Sequence, residues 1–140
     1  MDDTWELLMD LVMAERARIP QIAAEFRLSP PQVHALRVLS PERPLPMGRL
    51  ACALGCDASN VTGIVDRLEK RGLIERRASE HDRRVKVLVV TAEGARVRRR
   101  LLLRLGEPPQ SIAALSPADR RRLARLLRLA LSRAAAAPAP

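Results

Sequence analysis

The sequence predicts a mainly helical fold carrying one small β-hairpin. Apolar residues recur every three or four positions over most of the chain, the spacing of helices with one buried face. Between Leu73 and Val90 the period shortens and β-branched residues take over, which reads as paired strands. The chain has one Trp, one Phe and no Tyr, so its core is aliphatic, a composition that suits helices better than sandwiches.

The elements follow in order. Asp3, with Glu6 three residues later, marks a helix start. Trp5, Leu8, Met9 and Val12 then fall at helical spacing, predicting a helix from residue 4 to about 18. Ile19-Pro20 is expected to interrupt it, and a second segment covers residues 21–26. Ser29-Pro30 is a cap followed by proline at the first helical position, opening a helix that turns Val33, Leu36 and Leu39 inward. Three prolines between Ser40 and Pro46 predict a loop.

A short helix then spans about Met47 to Leu54, with Gly55 at its C-cap. Asp57 opens another, running to Arg71 and closed by Gly72. Two short helices joined by a tight turn with Gly are the helix-turn-helix signature. Residues 73–77 form a strand-like run, residues 79–84 a charged tip, and residues 85–90 a second strand, together a wing. Thr91 caps a long helix carrying Val97, Leu101 and Leu105, which residues 106–109 break. Residues 110–115 read as ambiguous, with a short helical turn as one option. Ser116-Pro117-Ala118-Asp119 starts the last helix. It places Leu123, Leu126, Leu127, Ala130 and Leu131 opposite Arg121, Arg122, Arg125 and Arg128.

A length of 140 residues predicts one domain. The apolar stripes of the first and last helices need burial, and pairing with a second copy supplies it. A net charge of +9 points to a polyanionic partner. Of the 25 basic residues only Lys70 and Lys86 are lysine, and arginine suits bidentate phosphate and base-edge contacts. Two cysteines, Cys52 and Cys56, make no disulfide framework and match no zinc pattern. The acidic N-terminus lacks a signal architecture, and no apolar run is long enough to span a bilayer, so a cytoplasmic location is expected. His34 and His81 are the only histidines, and no phosphate loop, zinc-protease motif or nucleophile elbow occurs. The sequence therefore predicts neither enzyme activity nor a cofactor or metal.

The candidate site is the helix opened by Asp57. At roughly 100° per residue, Val61, Ile64, Val65 and Leu68 form one narrow buried stripe. Ser59, Gly63, Asp66 and Lys70 lie opposite, with Thr62 and Arg67 at the flanks and Asn60 at the border. Short polar side chains suit base edges in the major groove, while Arg67 and Lys70 suit phosphates. A glycine inside a helix costs about 1 kcal/mol relative to alanine. Gly63 makes sense if another molecule must approach the backbone closely. At the wing, Arg83, Arg84 and Lys86 are positioned for the minor groove or the DNA backbone, and Asp82 is expected to orient a neighbouring guanidinium.

The run from Asp57 to Ile74 resembles the recognition helix of the MarR family. Asp82 and Arg84 match that family's wing motif, and Thr91 and Gly94 match the Thr-x-x-Gly that opens its next helix. The resemblance covers nearly the whole chain in element order and is most specific over residues 46–94. It implies one domain over residues 1–140, with a winged helix-turn-helix part at about 30–92 and dimerisation helices at 1–20 and 92–133; the low-complexity run at 134–140 is expected to fray into a disordered tail. It implies a homodimer on a pseudo-palindromic duplex-DNA operator, with residues 57–70 in the major groove and Arg84 in the minor groove. Repression released by a small-molecule effector is the usual role. Trp5, Phe26 and His34 are candidate ligand contacts, although Trp5 and Phe26 also read as core or dimer interface. Two alternatives stand beside this one. Cys52 and Cys56, four residues apart, fit a redox-responsive regulator or two small buried hydrophobes. A winged-helix module that binds protein is the other.

Overall fold

The computed structural model of the chain describes residues 3–136 except Cys56, and of Ala58 and Ser59 it describes the backbone alone. Two compact units divide it, residues 1–106 and 107–140.

The first unit opens with helices α1 (Thr4–Ala14) and α2 (Arg18–Glu25). The first helix ends four residues before the expected end at 18, in a turn over residues 15–17. Pro20 does not interrupt a helix; it lies in the first turn of α2, where its missing N–H has no intrahelical partner to lose. Three elements follow: α3 (Pro30–Val38), β1 (Leu45–Pro46) and α4 (Met47–Leu54). Ser29 starts α3 with a complete capping box: Gln32 N–H donates to Ser29 Oγ at 3.4 Å, and Ser29 N–H donates to Gln32 Oε1 at 2.9 Å. The proline-rich stretch is not wholly a loop, because Leu45 and Pro46 pair with a later strand. This strand is two residues long, too short for a period to register in the sequence.

Helix α4 ends at Gly55 in the left-handed region, φ 62°. Asp57 caps α5 (Ala58–Lys70), accepting from Asn60 N–H at 3.0 Å. Gly72, φ 70°, closes α5: its N–H donates to Glu69 O at 2.8 Å, and Leu73 N–H donates to Leu68 O at 3.1 Å. The chain then forms the hairpin of β2 (Ile74–Ala78) and β3 (Lys86–Val90), and α6 (Ala92–Gly106) follows. The sheet is antiparallel in the order β1-β3-β2, with Arg76 opposite Leu88. The core of this unit draws on α2 to α6 and the hairpin, with Leu36, Leu50, Val65, Leu68, Leu88 and Leu101 fully buried, while no residue of α1 is buried.

An ion pair ties α2 to α6. Arg104 donates to Glu25 from Nε and Nη2, each at 2.9 Å, and this hydrogen bonding holds the Glu25 carboxyl below its usual range. A carboxyl lowered in the folded state adds stability above its unfolded pKa, and that share is lost as pH falls through the folded value. Glu25→Gln therefore flattens the acid side of the stability profile. Thermal melts between about pH 6 and pH 3 check it, since the variant loses less Tm on acidification than the parent.

The second unit holds α7 (Gln110–Ala113) and α8 (Pro117–Ala136). Ser116 Oγ caps α8, accepting from Asp119 N–H at 3.1 Å. The helix continues to Ala136, into the stretch expected to fray from 134. Alanine has the highest helix propensity, which carries the run onward; residues 137–140 lie outside the described residues. No residue of α8 is buried. Among the described residues no helix is long and apolar enough to cross a membrane.

Candidate nucleic-acid interface

Helix α5 sits on the core as an amphipathic wheel requires for Val61, Ile64, Val65 and Leu68, whose exposures are 2%, 9%, 0% and 0%. That burial fixes which face points out. Asn60, Thr62, Asp66, Arg67 and Lys70 are exposed. Ser59 belongs to the first turn of α5, and its side chain lies outside the described residues. A Cβ built on Gly63 meets nothing within 4 Å, so no packing inside the chain demands glycine there.

The wing tip is folded by its own backbone. Ser79 N–H donates to Val85 O at 2.9 Å, and Val85 N–H donates to Asp82 O at 3.0 Å. Asp82 departs from its expected role: its carboxylate accepts from the backbone N–H of Arg84 at 3.0 Å. It shapes the turn, and in this structure it does not hold a guanidinium. A short acid closes such an Asx-type turn more readily than it reaches round to a neighbour's long side chain. Arg83, Arg84 and Lys86 are exposed, and no ion pair within the described residues engages them. Their charges remain available to an outside anion.

Asp66 faces outward as the helical wheel requires, but it already has a partner within the chain. Its carboxylate pairs with Arg76 of β2, and the same guanidinium reaches Glu69 Oε1 through Nη1 at 2.8 Å. Glu69 Oε2 accepts from the Arg76 backbone N–H at 2.9 Å. These contacts push the Arg76 pKa up, the Asp66 hydrogen bond contributing most. Sequence reading missed Arg76 and Glu69, because their pairing depends on the angle between α5 and β2. Just past Glu69, at the C-cap of α5, Arg71 donates to Arg27 O at 2.6 Å and to Phe26 O at 3.1 Å. It thereby caps α2 where Arg27 adopts φ 55°.

The three candidate ligand contacts do not converge. His34 lines an open cleft of about 780 Å³ between α3 and α5, with Arg37, Asn60 and Arg67 on its polar side and Leu54 and Ile64 on its apolar side. Phe26 packs on the core and carries Arg100 at 5.7 Å from its ring centroid. Trp5 is 68% exposed on α1, so it is not a core residue of this chain. Cys52 is exposed on α4, which overturns its reading as a buried hydrophobe; Cys56 lies outside the described residues. Among the described residues no cluster of His, Cys, Asp and Glu is arranged to hold a metal.

A helix-turn-helix of α4 and α5 followed by the β2–β3 hairpin defines a winged helix-turn-helix protein. Residues 28–86 match the MarR family. The likeness to that family is carried by this segment, which is less than half of the chain. It is 42% identical over 90 residues to the transcriptional repressor MprA of Escherichia coli K12, an alignment covering 60% of this chain and 48% of MprA. The chain thus spans about half the length of that relative. Among solved structures it is similar to a MarR family protein from Bacillus stearothermophilus, with TM-score 0.82 and 25% identity, covering 95% of this chain and 94% of the other. A mutant of Staphylococcus aureus MepR bound to an oligodeoxyribonucleotide shares the fold, with TM-score 0.66, 22% identity and coverage of 91% and 96%.

Proposed function

We propose that this chain is a sequence-specific, duplex-DNA-binding transcriptional regulator that works in the cytoplasm as a homodimer. The observation that carries the reading is the outward face of α5, polar and open at Gly63, beside a wing tip with uncommitted arginines. Asn60, Thr62 and Gly63 are the base-reading candidates, with Ser59 beside them in sequence. Arg67 and Lys70 contact phosphates, and Arg83, Arg84 and Lys86 carry the wing to the minor groove or backbone. The DNA-bound MepR mutant and the repressor MprA support it as relatives.

Homodimerisation is supported by apolar surface left open within one chain. Trp5 and Val12 of α1 are 68% and 50% exposed, and Leu126 and Leu131 of α8 are 59% and 69% exposed. A two-fold dimer reads half-sites roughly one helical turn apart. The regulator acts as a repressor that a small-molecule effector releases. The cleft holding His34 is the candidate effector site, since Asn60, Gly63 and Arg67 line it and also face the groove.

Fluorescence anisotropy with duplex from upstream of this protein's own gene, against a scrambled control and across a salt series, tests the reading. Selective binding whose log affinity falls steeply with log salt supports it. Equal weak binding to both, with no sequence enriched from a random pool, favours the protein-interaction module instead. Arg84→Ala keeps the dimer and lowers affinity about tenfold, with the salt slope reduced by about 1. Unchanged affinity at moderate salt removes the wing from the interface.

A further inference from the structure

The three-residue cluster of Arg76, Asp66 and Glu69 has a use beyond stability. Asp66 is 57% exposed and Glu69 38%, both on the side of α5 beside the wing. Left free, two carboxylates there would repel the phosphates that Arg67 and Lys70 attract. One guanidinium answers both: Nη2 takes Asp66 and Nη1 takes Glu69. The planar fork of arginine suits two carboxylates three residues apart on one helix, one for each terminal nitrogen. Glu69 also accepts the Arg76 backbone N–H, so α5 is fastened to the main chain of β2 as well as to its side chain.

We propose that Arg76 is a positioning residue for sequence reading: from the wing it sets the angle of α5 and neutralises Asp66 and Glu69, acting on DNA only through them. The proposal rests on α5 and the wing being the DNA interface. It reassigns Asp66 from base reader to partner of the wing, and it makes wing and recognition helix one rigid reading unit.

The test is a mutant cycle read as discrimination, the ratio of affinities for a duplex enriched from a random pool by the parent protein and for a scrambled duplex. Arg76→Gln lowers that ratio tenfold or more, and Arg76→Lys recovers part of it. In an Asp66→Asn, Glu69→Gln background the further change Arg76→Gln costs less than twofold, because its partners are already gone. Thermal melts accompany each variant, and the Lys variant and the two-carboxylate background keep the cycle readable if Arg76→Gln folds poorly. Equal losses from Arg76→Gln in both backgrounds mean that Arg76 touches DNA itself, which overturns the proposal. Full discrimination by Arg76→Gln overturns it too, with the interface reading intact. A parent protein that enriches no sequence overturns the interface reading and this proposal together.

Discussion

Gly94→Ala loses about 3–5 kcal/mol of stability, the range reserved for strain that packing cannot relieve. A Cβ built on Gly94 lies 1.8 Å from Leu73 O, 2.8 Å from Leu73 C and 3.0 Å from Val90 Cγ1. Two of those atoms are backbone, so no rotamer change makes room. Leu73 leads into β2, and its O also accepts from Thr91 N–H at 3.1 Å. Thr91 Oγ1 donates to Gly72 O at 2.6 Å and accepts from Gly94 N–H at 3.0 Å. Any shift of α6 away from Leu73 therefore disturbs the joint between α5, the wing and α6. Calorimetry or denaturant melts show a Tm lower by roughly 10 °C or more. A variant melting within about 2 °C of the parent means that α6 slides at little cost and that the joint is not rigid.

Gly63→Leu has the opposite signature. Nothing lies within 4 Å of the added Cβ, and leucine raises helix propensity, so the fold is kept or gains up to about 1 kcal/mol. On the proposed reading, the new side chain fills the space between α5 and the base edges, and affinity for specific DNA falls on the order of a hundredfold. Anisotropy titration beside a thermal melt separates the two effects. Full affinity with raised Tm means that DNA does not approach α5 at Gly63, and the interface has to be sought elsewhere on the chain. The two glycines differ in what demands them. One is required by backbone already present in the chain, the other by a molecule that is not.

Much of the fold is legible because the rules that set it are local. The stripe of Val61, Ile64, Val65 and Leu68 fixes the outward face of α5 through helical periodicity alone. Ser29, Gly55, Gly72 and Ser116 mark helix ends through hydrogen bonds and backbone angles that span only a few residues. The misreadings share a cause. Pro20 is compatible with either a break or a first turn, and only the path of α2 decides. The strand at Leu45–Pro46 exists because β3, far along the sequence, offers it a partner. Exposed charges are hardest to place, since Asp66 and Asp82 each have several donors within reach until the chain is folded.

The sequence by itself determined the order of most elements, the buried faces of α3 and α5, the basic character of the chain and the two places, α5 and the wing tip, where short polar and arginine residues face outward. Each follows from periodicity, capping or composition, which act within a few residues. The tertiary structure alone decided that Arg76 takes Asp66 and Glu69, that Asp82 holds a backbone N–H, that His34 and Arg67 share a cleft, and that Gly94 lies against Leu73. Those depend on how α3, α5, the hairpin and α6 pack, because a side chain's partner is set by the distance and angle between elements.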